Sequence, residues 1–93
     1  MSTVQQIDTT KAEAFGDNLV NVLNHGALAV MISIGHRTGL LDALSTLPPS
    51  TSEAIAETTG LDERYVREWL GAMATGGVVE LQSNGSTPKF SLP

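Results

Sequence analysis

Apolar residues recur every three or four positions at Phe15, Leu19, Val22 and Leu23, while Asp17, Asn18, Asn21 and Asn24 fill the opposite side. That spacing predicts an amphipathic helix. Its start is expected at Thr9 or Thr10, either of which can cap it, and Glu13 stands where a capping box places it after Thr10. Residues 1–9 are polar and predict a flexible N-terminus ahead of a domain over residues 10–93. Gly26 offers a kink or a close approach. Beyond it the pattern changes, because Ala27, Leu28, Ala29, Val30, Met31, Ile32 and Ile34 are apolar all round. A helix apolar on every side has to be buried on every side. A small domain has little to surround it with, so the preferred expectation is packing on a second chain or another domain. The alternative is a central core helix.

Gly35 and Gly39 bracket His36, Arg37 and Thr38, and a chain turn is expected there, giving a long helix from Thr10 to Gly35. Leu40, Leu41, Ala43, Leu44 and Leu47 then predict a short helix closed by Pro48 and Pro49. Thr51 or Ser52 caps the next helix, with Ile55 and Ala56 pointing inward. Thr59-Gly60 is a tight turn in which glycine supplies the left-handed backbone. Asp62 caps a further helix whose inward face reads Leu61, Tyr65, Val66, Trp69, Leu70 and Met73, and Gly76-Gly77 ends it. Residues 78–81 and 89–92 read as two strands around a turn at residues 83–86, with Asn84-Gly85 as the hairpin signal. The predicted fold is mainly α with a small β-wing, a winged helix-turn-helix preceded by a long helix.

A winged helix suggests a reader of DNA, and the charge disagrees. Residues 51–75 hold five acids (Glu53, Glu57, Asp62, Glu63, Glu68) against two bases (Arg64, Arg67), and the net charge of the 93 residues is −5. Affinity for nucleic acid comes largely from neutralising phosphates. Arg64 and Arg67 on the second helix of the motif, with Lys89 in the wing, are the residues a DNA-binding regulator would use. The simpler expectation pairs Glu63 with Arg67 and Arg64 with Glu68 along the helix surface. Charged residues make up only 16 % of the chain against 41 % hydrophobic, a balance that leaves apolar surface for a partner.

Other chemistry is sparse. There is no cysteine, so thiolate metal sites are excluded and a cytoplasmic setting is the expectation. The N-terminus lacks a basic segment followed by an apolar run, and the apolar stretch at residues 27–34 is shorter than the ~20 residues a membrane span needs. His25 and His36 are three helical turns apart, on one side of the helix but too distant to share a metal. Arg37 suits the carbonyl end of the apolar helix. Alternatively, His25, His36 or Arg37 faces a pocket that another domain completes. The sequence carries no glycine-rich phosphate loop, nucleophile elbow or βαβ alternation.

Two runs point further. A-L-A-V-M-I-S-I-G-H-R-T-G-L-L-D-A-L and S-E-A-I-A-E-T-T-G-L-D-E-R-Y-V-R-E-W-L-G-A-M-A-T-G-G-V-V-E together resemble the N-terminal winged-helix domain of a group of bacterial class I S-adenosylmethionine-dependent methyltransferases. I-G-H-R-T-G-L and E-R-Y-V-R-E-W-L-G-A-M are the most distinctive stretches, and the resemblance spans residues 12–92. It implies a dimerisation and substrate-capping module, not catalytic by itself. The cofactor, S-adenosylmethionine, would belong to a Rossmann-like catalytic domain that these residues do not include. It also implies a homodimer, or contact with that catalytic domain, through Phe15, Leu19, Val22, Leu23, Ala27, Val30 and Ile34. Asn24, His25, Met31, His36 and Arg37, with Asn21 on the same side, would then lie toward the substrate cavity.

Overall fold

The computed structural model describes residues 9–83 and 86–93. Of residues 1–9, expected to be flexible, 1–8 lie outside the described residues, as does the Asn84-Gly85 turn, while Thr9 already belongs to the first helix. Helix α1 spans Thr9–Thr38, α2 Leu40–Thr46, α3 Ser52–Thr59 and α4 Glu63–Thr75. Strands β1 (Glu80–Gln82) and β2 (Lys89–Ser91) pair antiparallel, with Leu81 opposite Phe90. Ser50 bridges to Phe90 on the other side through two backbone hydrogen bonds, 3.1 and 2.8 Å long, and so ties the wing to the start of α3. This is the winged helix-turn-helix with a long leading helix that the pattern predicts.

Local signals explain most boundaries. The Thr51 hydroxyl accepts from the Ala54 N–H, and the Asp62 carboxylate accepts from the N–H groups of Arg64 and Tyr65. These bonds satisfy donors that helix starts leave unpaired. Gly60 closes α3 at φ 74°, in the left-handed region. The carboxylate of Asp62 also faces the positive end of α4. Asp62→Ala is therefore expected to lower stability by about 1 kcal/mol, read as a drop in thermal midpoint by circular dichroism with the folded spectrum unchanged.

The structure corrects four expectations. First, α1 does not stop at Gly35 but runs through His36 and Arg37 to Thr38, and the turn falls at Gly39, at φ 83°. The Thr38 hydroxyl donates back to the Ile34 carbonyl at 2.7 Å. Second, Tyr65 is 42 % exposed. It lies a quarter-turn off the stripe of Val66, Trp69, Leu70 and Met73, which are buried. Third, β1 begins at Glu80 and not at residue 78, because the N–H groups of Val78 and Val79 both donate to the Met73 carbonyl, closing α4 before any ladder begins. Fourth, β2 ends at Ser91.

The core is formed by α2, α3, α4 and the wing: Leu40, Leu44, Ile55, Val66, Trp69, Leu70, Met73, Val79 and Phe90 are buried. Helix α1 reaches this core only through its C-terminal half, where Leu28, Met31 and Ile34 pack against it. The contact is keyed by one residue. Trp69 of α4 donates its indole Nε1–H to the Met31 carbonyl at 2.9 Å, and its ring edge lies over Gly35 one turn later. The rest of α1 projects. The Cα radius of gyration is 18.9 Å, well above the ~12 Å of a compact chain this long.

Candidate interaction surface

Helix α4 would be the reading helix of a DNA-binding winged helix. Its two arginines are engaged along the helix itself. Arg64 Nε lies 3.6 Å from Glu68 Oε1, and Arg67 Nε lies 3.6 Å from Glu63 Oε2. Glu63 also accepts a 2.6 Å hydrogen bond from the buried Ser52 hydroxyl, so the Arg67 partner is anchored to the start of α3. Exposed pairs like these add little stability. They do place a carboxylate beside each guanidinium where a phosphate would have to bind. Beyond Glu68 the outward face continues with Gly71, Ala72 and Thr75, uncharged and small. Lys89 is exposed on β2. The sequence-based pairing of these four charges is found in the structure.

The other surface is α1. Phe15 is 65 % exposed and Leu23 71 %, and Leu19, Val20, Val22, Val30 and Ile32 are exposed as well. Of the seven residues expected at an interface, Phe15, Leu19, Val22, Leu23 and Val30 lie open on one broad side of the helix. Ile34 instead packs against this chain's own core. Ala27 lines a groove of about 450 Å³ between α1 and α4, formed with Asn24, Leu28, Met31, Gly71 and Thr75 among others. The apolar segment 27–34 is thus only half covered: Leu28, Met31 and Ile34 inward, Val30 and Ile32 outward.

The five residues expected toward a substrate cavity divide. Asn24 and Met31 share the groove. His25, His36 and Arg37 are exposed outside it, with His36 and Arg37 in the last turn of α1, where positive charge suits the carbonyl end. Of the α1 residues along the groove, Leu28 was expected only within the apolar segment, and the α4 side was not foreseen. Gly71 and Thr75 were visible only as outward residues of a reading helix, and no local signal says which helix they approach. Among the described residues there is no group of three or more His, Asp or Glu that could hold a metal ion.

By length and a mean hydropathy of 1.3 over its most apolar window, α1 is long and apolar enough to cross a membrane. Its Asp17, Asn18, Asn21, Asn24 and His25 give it a polar side that hydrocarbon would not solvate.

Comparison with known proteins follows the same lines. A family model described as the Rv2258c-like winged HTH domain matches residues 26–93. The crystal structure of human N-acetylserotonin methyltransferase (ASMT) in complex with SAM is similar over 100 % of this chain and 25 % of that chain, with a TM-score of 0.72 and 14 % sequence identity. That likeness is one of fold, and the chain spans a quarter of the length of its structural relative. Among curated proteins none matches.

Proposed function

Because the chain belongs to the Rv2258c-like winged HTH domain family, we propose that it is the accessory domain of an S-adenosylmethionine-dependent methyltransferase, pairing subunits and capping the substrate cavity. The observation that carries this reading is the division of labour between helices. The would-be reading helix α4 has its arginines paired with its own glutamates, while α1 exposes an apolar side with no cover within the described residues. The structural relative, a methyltransferase in complex with SAM, supports the class of parent enzyme. In this reading the winged helix is a scaffold that holds α1 out from the body. The groove with Asn24 and Met31, and the exposed His25, His36 and Arg37, are the residues offered to a cavity that a catalytic domain completes. In this reading the S-adenosylmethionine site belongs to the catalytic domain.

Light scattering and duplex binding test it together. The chain is expected to elute at twice its monomer mass, and Leu19→Glu to halve that mass while the helical spectrum is kept. Duplex DNA at low salt is expected to show no saturable binding. Site-specific binding that weakens steeply with salt and disappears with Arg64→Ala and Arg67→Ala would overturn the reading in favour of a DNA-binding regulator.

A further inference from the structure

The exposed side of α1 is graded in size along its length. A seam at alternating three- and four-residue steps runs through the exposed Phe15, Leu19, Val22, Gly26 and Ala29 to the half-buried Ser33, the spacing of a two-stranded helical contact. Its N-terminal half is large and its C-terminal half is small. The seam also lies on the correct side. Leu28, Met31 and Ile34 turn toward the body, and at 3.6 residues per turn Gly26, Ala29 and Ser33 fall on roughly the opposite face.

We infer that two copies of this chain pair through α1 in an antiparallel sense, with the large half of each seam seated on the small half of the other. The inference rests on the subunit-pairing role proposed above and adds direction and register. In this register Phe15 meets the partner's Ser33, Leu19 the partner's Ala29 and Val22 the partner's Gly26. Every level joins a large side chain to a small one, which lets the two helix backbones approach and fill the space between them. On one flank Leu23 meets its own copy across the two-fold axis, and Gly16 receives the partner's Val30. Such self-complementarity is what a two-fold interface requires.

Other arrangements lose this match. Sliding one copy by a heptad sets Leu19 against Val22 in one direction. In the other it pairs Gly26 with Ala29 and leaves Phe15 beyond the end of the partner's helix. A parallel pair stacks Phe15 on Phe15 and leaves a gap where Gly26 and Ala29 face themselves. The antiparallel arrangement also puts the two winged-helix bodies on outer, opposite sides, so they do not collide. Phe15, Leu19, Val22, Leu23 and Val30 are each 45–71 % exposed, apolar area that a second copy would cover toward the ~800 Å² per partner of a standard specific interface. A ~45 Å helix with its first half clear of its own body is long enough to provide this contact.

The chain has no cysteine, which makes the register directly readable. The double variant Leu19→Cys/Ala29→Cys is oxidised with copper phenanthroline and run on a denaturing gel, beside each single variant. The two positions are ~15 Å apart on one helix, too far for a bond within a chain. The expected result is that most of the double variant runs at twice the mass and the single variants do not. A second pair, Phe15→Cys/Ser33→Cys, is expected to behave alike, and circular dichroism verifies that each variant folds. Crosslinking of Leu19→Cys alone overturns the antiparallel sense. A dimer by light scattering in which neither folded pair crosslinks overturns the register while leaving the pairing role standing. A monomer overturns both. Co-sedimentation of the chain with phosphatidylcholine vesicles, with loss of the dimer, would make lipid the occupant of the stripe and overturn the inference as well.

Discussion

Replacing Trp69 with alanine is expected to remove a large share of the chain's stability and to lower its denaturation midpoint sharply. Trp69 is 1 % exposed and the largest of the fully buried side chains. Truncating a buried tryptophan costs about 3–5 kcal/mol in lost transfer energy and cavity formation. A domain of this length has a total stability of roughly 5–14 kcal/mol, so the loss removes a large share of it. The site has little means of collapsing, because the ring bridges two elements that otherwise touch sparingly. Its Nε1–H reaches the Met31 carbonyl, and its edge covers Gly35. Without the indole, α1 keeps only the partial cover of Leu28, Met31 and Ile34. Trp69→Phe separates the two contributions. It keeps most of the apolar volume and loses the hydrogen bond. The Met31 carbonyl still accepts the ordinary helix bond from the fourth residue on, so no buried acceptor is orphaned, and a cost of about 1–2 kcal/mol is expected. Chemical denaturation followed by circular dichroism reads both variants. An alanine variant as stable as the phenylalanine variant would mean that the ring is not the key between α1 and α4.

The elements that local chemistry decides were legible in the sequence. Thr51, Asp62 and Gly60 each satisfy or terminate backbone groups within a few residues of themselves, and each stands where the pattern places it. The charge pairs of α4 follow from helical spacing alone. The misreadings share a different cause. Gly35 looks like a stop signal, yet it lies inside α1 because a ring from residue 69 needs the space its missing side chain leaves. Val78 and Val79 look like strand, yet their N–H groups are taken by the Met73 carbonyl. Tyr65 belongs to an apolar stripe drawn too wide, and the narrower stripe through Val66, Trp69, Leu70 and Met73 already fills the core. The exposed apolar side of α1 was legible as an excess of apolar positions. The groove with Gly71 and Thr75 was not, since it exists only where two distant helices meet.

Three glycines in or just past these helices are expected to respond to alanine in three different ways, and Gly35 is the informative one. In a helix interior alanine is better than glycine by about 1 kcal/mol. Gly71 lies within α4 with nothing within 4 Å of a new Cβ, so Gly71→Ala is expected to stabilise by about that amount. At Gly76 a Cβ meets the end of the Leu28 side chain, which borders an open groove and can rotate away, so the change is expected to be small. At Gly35 the Cβ would overlap Cζ2 of Trp69 and sit 3.2 Å from Leu41 Cγ. The indole cannot retreat without losing its bond to Met31, which belongs to the same helix as Gly35. Overpacking of this kind costs about 1–3 kcal/mol, enough to reverse the propensity gain, and the variant is expected to melt below the parent. Trp69 is the only tryptophan in the chain, so its fluorescence reports the displacement directly. A Gly35→Ala chain that melts higher, with an unshifted emission, would show that α1 is free to slide past the ring, and the fixed geometry between the projecting helix and its scaffold would have to be abandoned.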